Sequence, residues 1–187
     1  PQSSGSNPGP ACYGIGGIES TVTDANLCLN RLNPKYFLGG TMNLDITKSK
    51  QALNMLSKKL NSSILKTSNA IIKIANNNMV SALRSLLIEK GLDPRDFTLL
   101  CFGGAGPLHA GDLLSELNFK KAIIPNNPGQ FSALGFLVTD PRVDRQRTVQ
   151  LNSKNFKINE ANKTISDLLT ETKKELNEQG YRNNLKI

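Results

Sequence analysis

Tryptophan is absent from this 187-residue chain, histidine occurs once, cysteine three times, and aromatic residues make up only 5% of it. Each scarcity narrows what the chain can be. With His109 as the sole imidazole, a Cys/His nucleophilic pair must use that residue or not exist. Cys12, Cys28 and Cys101 form no C-x-x-C pair and are odd in number, so neither a disulfide framework nor a zinc site is suggested, and a reducing cytoplasm is the expected compartment. No run of eighteen apolar residues occurs, so no membrane-crossing helix is expected. The opening PQSSGSNPGP has neither the basic start nor the apolar centre of a signal peptide. The chain begins at Pro1 rather than a methionine, which suggests an internal segment of a longer protein.

Acidic residues are the minority charge. Lys and Arg number 23 against 15 Asp and Glu, a net +8. The cations are scattered, from Lys48, Lys58 and Lys59 through Arg142, Arg145 and Arg147 to Lys173 and Lys174, and no aromatics alternate with them. Neither a phosphate-tracking block nor a stacking platform is present, so a solvated basic surface is expected and nucleic-acid binding is not. Attraction of anionic ligands remains open to such a surface.

What is present in strength is glycine next to short apolar runs. The stretch Thr98 to Ala110, TLLCFGGAGPLHA, joins a strand-like segment (Phe97 to Phe102, with the content of a buried strand) to a bend made by Gly103, Gly104 and Gly106. Pro107 suits the first turn of a helix, since its missing N–H would have had no helical partner, and Pro107 to Leu117 is expected to be that helix. A strand, a glycine turn and a helix N-terminus offer N–H groups and a positive dipole end to an anion such as a phosphate or nucleotide. The same pattern also serves as a plain tight turn in any α/β protein. It matches neither G-x-x-x-x-G-K-[ST] nor G-x-G-x-x-G.

Around this stretch the chain divides as follows. Residues 1–17 are too rich in Gly, Pro and Ser for a regular element, although Cys12, Tyr13 and Ile15 give PGPACYGIGG apolar anchors. Cys12 could be a reactive thiol there, and Cys101 a small buried hydrophobe. Thr23 or Asp24 is a possible cap for a helix from about Asp24 to Leu32. Asp24 is thus either an N-cap or a carboxylate at the mouth of a site. Asp45 or Thr47 caps a helix to about Leu60, with Leu53, Leu56 and Leu60 as its stripe. A long helix is expected from Ser68 to about Lys90, with Ile71, Ala75, Met79, Ala82, Leu83 and Leu86 on one face and Gly91 as its stop. Asn76, Asn77 and Asn78 interrupt it as an exposed face or a ligand-facing patch. Lys121 to Pro125 completes a βαβ unit with Phe97 to Phe102, and a second loop, PNNPGQFSALG, leads to a helix from about Gln130 to Val138. Loops leaving the carboxyl ends of strands collect ligands in open α/β sheets, and both glycine loops qualify. Arg142 to Leu151 alternates like an edge strand, and Asn159 to Gln179 forms an amphipathic helix with Ile165, Leu168, Leu169, Thr172 and Leu176 inward and Gly180 as its stop.

The segments PGPACYGIGG, TVTDANLCLNRLNP, FLGG, DPRDFTLLCFGGAGPLHA and PGQFSALGFLVTDPR resemble the ATP-dependent hydantoinase/oxoprolinase family, specifically its hydantoin utilisation protein A type. That family also includes 5-oxoprolinase and the nucleotide-binding subunits of acetone and acetophenone carboxylases. The resemblance runs from Pro1 to about Thr148. It implies an α/β fold that forms part of a two-lobed actin, sugar-kinase and Hsp70-like ATPase, with residues 1–150 as part of one lobe and 151–187 as the start of a following region. By position, Gly103, Gly104, Ala105, Gly106 and Pro107 resemble the late glycine turn that holds the nucleotide. The family's earlier phosphate-binding loops have no counterpart in this sequence.

The activity so implied is opening of a cyclic amide, 5-oxoproline or a hydantoin, by ATP-driven phosphorylation of the amide oxygen. ATP-dependent ketone carboxylation and a non-catalytic nucleotide-binding or assembly module are the alternatives. ATP and Mg²⁺ are the implied cofactors, and a hydantoinase B-type subunit is the implied partner in an oligomer. Asp24 and His109 are the candidates for proton movement, with Asp112 and Cys12 as the other groups able to serve. Cys12, Tyr13 and Gly129 are candidates for the substrate pocket, while the metal ligands are not identified.

Overall fold

The computed structural model describes residues 3–149 and 157–182. The chain divides into two compact units, Pro1–Ser132 and Ala133–Ile187. The first is helix-rich with a small parallel sheet. Its elements are α1 (Val22–Cys28), α2 (Ile46–Lys59), α3 (Ile64–Glu89), β1 (Thr98–Leu100), α4 (Gly106–Leu117) and β2 (Lys121–Ile123). Helix α5 (Phe131–Val138) crosses the division, and α6 (Ile158–Glu178) belongs to the second unit.

Helix α1 packs on both α2 and α3. It starts at Val22 because Thr21 takes the N-cap: the Thr21 hydroxyl accepts from the Asp24 N–H at 3.2 Å while the Asp24 carboxylate accepts from the Thr21 N–H at 3.1 Å. This reciprocal capping box satisfies two otherwise orphaned donors. Neither Thr23 nor Asp24 is the cap, and the helix ends at Cys28 rather than Leu32. Asn30 turns left-handed there (φ 57°), and the Arg31 N–H returns to the Asn26 carbonyl at 2.9 Å. A single 3-10 turn, Ala11–Tyr13, occupies the loop in which no regular element was expected.

Helix α2 is capped by Asp45, which accepts from the Thr47 and Lys48 N–H groups. Its buried face is Ser49, Ala52, Leu53 and Ser57, whereas Leu60 is 58% exposed at the end of the helix. Helix α3 begins at Ile64 under a Ser63 cap, earlier than Ser68, whose hydroxyl instead donates to the Ile64 carbonyl inside the helix. The stripe it buries is Thr67, Ser68, Ile72, Asn76 and Val80, and Leu86 of the expected face lies in solvent. Asn76 is therefore an interior residue. The buried stripe advances in steps of four, which carries Thr67, Ser68 and Ile72 inward before Val80 meets Leu113, Leu117 and Phe119 at the α4 end.

Strands β1 and β2 run parallel with Thr98 opposite Lys121, Leu99 opposite Ala122 and Leu100 opposite Ile123. With α4 between them, they form the expected βαβ unit. Leu99 packs against the cluster of Val80, Leu113, Leu117 and Phe119, but Leu100 and Ile123 stand on the other face and are about half exposed. The buried strand expected over Phe97 to Phe102 is not found: Leu99 is half-buried, Thr98 and Leu100 are exposed, and of the six residues only Cys101, just past β1, is buried.

In the second unit, residues 142–149 form no strand, contrary to the edge strand expected over Arg142 to Leu151; residues 150 and 151 lie outside the described residues. The segment lies along α6 instead. Arg145 pairs with Glu175, Arg147 pairs with Glu171 at 2.7 Å, and Val143 shares a groove of about 520 Å³ with Leu168, Leu169, Thr172 and Leu176. Its alternating residues thus meet a helix rather than a sheet partner.

Candidate functional site

The turn Gly103–Gly106 leaves the carboxyl end of β1, and the loop that leaves β2 meets it: the Gly103 N–H donates to the Pro128 carbonyl at 2.7 Å. Beside this joint, the Phe102 and Phe131 rings pack with centroids 5.4 Å apart. Gly103 sits at φ 88°, a conformation that a side chain strains. Gly104 and Gly106 differ from it. Both lie outside the left-handed region; a Cβ at Gly104 would meet nothing within 4 Å and one at Gly106 only the Cys101 backbone, at 4.0 Å. The fold of this chain does not require glycine at these two positions, so their bare backbone keeps space open outside the turn.

Among the described residues, the N–H groups of Gly104, Ala105 and Gly106 donate no hydrogen bond. They stand at the N-terminus of the 12-residue α4, with no side-chain cap on Ala105. Open space, available donors and a positive helix end are what a phosphate needs. A nucleotide phosphate therefore fits this turn. No group of three or more His, Cys, Asp or Glu able to hold a metal occurs among the described residues, and we assign no ligand to Mg²⁺.

One turn into α4, His109 is 6% exposed, and its Nδ1 lies 2.6 Å from Asn76 Oδ1 on α3. The Asn76 amide donates at 2.7 Å to Asp112 Oδ2, which also receives Arg31 at 3.3 Å. Burial pushes the His109 pKa below its ordinary 6.5, outweighing the opposing pull of Asp112. A neutral imidazole is thus held next to the glycine turn by residues from three parts of the chain. The spacing of His109 and Asp112, three residues apart on one helix face, was the available signal for this cluster. Arg31 and the buried Asn76 carried no such signal, because their partners are distant in sequence.

Asp24 is fully buried and accepts five hydrogen bonds: from the N–H groups of Ala11 (3.2 Å), Cys12 (2.9 Å) and Thr21 (3.1 Å) and from the hydroxyls of Thr21 (2.7 Å) and Ser49 (2.6 Å). It ties the loop before α1 to α1 and α2, and its oxygens are committed to those donors. Cys12 is also fully buried, and burial together with the adjacent Asp24 charge pushes its thiol up to about 12. Such a thiol stays protonated and is a poor nucleophile, so the reactive thiol considered from sequence has no chemical basis here. Tyr13 packs on Phe37 with centroids 5.8 Å apart, in the same apolar cluster as Cys12, Leu27 and Leu44. The structure thus brings Gly129, beside Pro128, to the glycine turn, and places Cys12 and Tyr13 in a separate cluster around Asp24.

Comparison with known proteins agrees with this architecture. Residues 1–145 match the model of the Hydantoinase/oxoprolinase family, and the chain belongs to that family. It is 44% identical over 149 residues to an uncharacterized protein of Methanocaldococcus jannaschii, covering 80% of this chain and 22% of that protein. It is 35% identical over 184 residues to the caprolactamase subunit alpha of Pseudomonas jessenii, covering 97% of this chain and 26% of the relative. A crystal structure of ATP-dependent caprolactamase from that organism superposes with a TM-score of 0.73 at 36% identity, over 95% of this chain and 26% of the other. The acetophenone carboxylase gamma subunit of Aromatoleum aromaticum is 32% identical over 188 residues, covering 96% of this chain and 25% of the relative. The chain thus spans about a quarter of the length of these relatives, and the family joins amide hydrolases with ketone carboxylases.

Proposed function

We propose that this chain supplies the nucleotide-contacting turn of an ATP-dependent enzyme that opens a cyclic amide. The observation that carries the reading is the turn Gly104–Gly106, whose three N–H groups donate no hydrogen bond among the described residues and whose Gly104 and Gly106 leave Cβ space open at the α4 N-terminus. The ATP-dependence of the caprolactamase relative supports it. We further read the βαβ unit as part of one lobe of an actin, sugar-kinase and Hsp70-like ATPase, with its remaining phosphate contacts supplied from outside this chain.

The chemistry gives the reading its logic. A lactam is a resonance-stabilised amide with a weak electrophilic carbonyl and a poor nitrogen leaving group. ATP with Mg²⁺, when bound, supplies a phosphoryl group that activates the amide oxygen. In this chain Gly104, Ala105 and Gly106 would hold phosphate oxygens through N–H groups, and Gly129 would border the same space. His109, held neutral by burial, would take up or return a proton. Asp24 would act by holding the Ala11–Tyr13 loop in place. The names of the caprolactamase and acetophenone carboxylase relatives mark them as subunits, which supports a partner subunit; we take that partner to be of the hydantoinase B type.

The test uses the full-length protein with any partner subunit, assayed for ADP release. Turnover driven by 5-oxoproline, a hydantoin or caprolactam is expected. Turnover driven instead by a ketone plus bicarbonate would replace this reading with the carboxylase one, and no ATP turnover with either would leave a binding module.

A further inference from the structure

We infer that Asn76 is a positioning residue that fixes His109 in one neutral tautomer, with the proton on Nδ1 and the lone pair on Nε2. The role of that lone pair in catalysis rests on the reading of the glycine turn as the reacting site; the tautomer itself does not.

Asp112 faces the Arg31 guanidinium at 3.3 Å and accepts from the Asn76 amide at 2.7 Å. A guanidinium has only donors, so the Asp112 Oδ2 that faces it is an acceptor, and the same oxygen faces Asn76. The atom of Asn76 that faces Asp112 must therefore be its NH₂ group, which removes the usual ambiguity between amide nitrogen and oxygen. The other end of the same side chain, Oδ1, is then the atom 2.6 Å from His109 Nδ1. A carbonyl oxygen cannot donate, so the ring nitrogen must. Because burial keeps the ring neutral, it carries one N–H, and that N–H is on Nδ1. Nε2 is left as the ring's acceptor, on a residue three positions after Gly106.

Position adds weight to this assignment. Asn76 is 5% exposed and His109 6% exposed. Burying two polar side chains costs free energy unless both are bonded, so each holds the other in place. A core position on α3 facing α4 would otherwise suit an apolar residue such as its neighbour on the stripe, Val80. The chain Arg31–Asp112–Asn76–His109 links the loop after α1 to α3 and α4, and each member fixes the donor and acceptor sense of the next.

The test exploits the single histidine of the sequence. The 187-residue chain, labelled with ¹⁵N-histidine, gives one pair of ring nitrogens in long-range ¹⁵N–¹H spectra recorded above neutral pH. The expected pattern is a protonated Nδ1 and an unprotonated Nε2, and the reverse pattern overturns the inference. Asn76→Ala should move the ring towards Nε2–H or a mixture. If Asn76→Ala fails to fold, the wild-type spectrum decides. In the full-length protein, Asn76→Ala is expected to lower lactam-driven kcat about tenfold or more with little change in KM. An Nδ1–H pattern combined with unchanged turnover in His109→Ala would leave the tautomer standing and remove the catalytic reading.

Discussion

Five donors converge on the Asp24 carboxylate, and two of them are backbone N–H groups twelve and thirteen residues upstream. A carboxylate is the side chain suited to this place, because it is the one that offers several acceptor sites and no donor. Asp24→Ala would orphan the N–H groups of Ala11 and Cys12 and the Ser49 hydroxyl in the interior, and would also break the capping box. Each orphan costs about 1–3 kcal/mol and the cap about 1 kcal/mol. With partial relaxation, we expect a loss of about 3 kcal/mol or more, read from urea unfolding. Asp24→Asn should cost less, since one oxygen still accepts while its amide faces donors. A loss below about 0.5 kcal/mol for Asp24→Ala would show that the loop is held by its apolar contacts alone.

At the scale of the element, the glycines of the β1–α4 turn separate into two kinds. Gly103 is required by its backbone angle, whereas Gly104 is required by nothing in this chain. Gly103→Ala should destabilise by about 1 kcal/mol or more through left-handed strain. Gly104→Ala should leave the melting temperature within about 2 °C and weaken nucleotide binding in the full-length protein, measured by calorimetry. Equal effects on stability would end the distinction, and unchanged affinity would argue that the space outside Gly104 holds no phosphate. This turn and its helix were legible in the sequence, as were the Asp45 cap, the Gly91 stop and the βαβ order, because proline, glycine and cap residues act over one to four positions. The tertiary partners were not. Thr21 displaced Thr23 and Asp24 as the cap only through its pairing with Asp24, Asn76 turned inward because His109 and Asp112 received it, and the alternation from Arg142 found a helix where a strand was expected. Period and propensity carry local geometry, and they say nothing of which distant group completes a hydrogen bond.

For the molecule as a whole, the two compact units differ in how much they bury. In the first, Leu27, Leu53 and Ile72 are at most 2% exposed and Asp24 is fully buried. In the second, no residue of α6 is buried, and its links to the preceding segment are the groove around Leu168 and Leu169 and the pairs Arg145–Glu175 and Arg147–Glu171. Ion pairs exposed to that degree contribute about 0–1 kcal/mol each. A helix of this length without buried contacts is marginal in water, since propagation alone barely offsets nucleation. Local opening of α6 should therefore precede global unfolding. In native-state hydrogen exchange, amides 164–178 are expected to exchange roughly a hundredfold or more faster than amides 68–80 of α3. Raising salt should widen the gap by screening the two pairs. Equal protection of the two helices would mean that α6 and the α1–α3 core open as one cooperative structure.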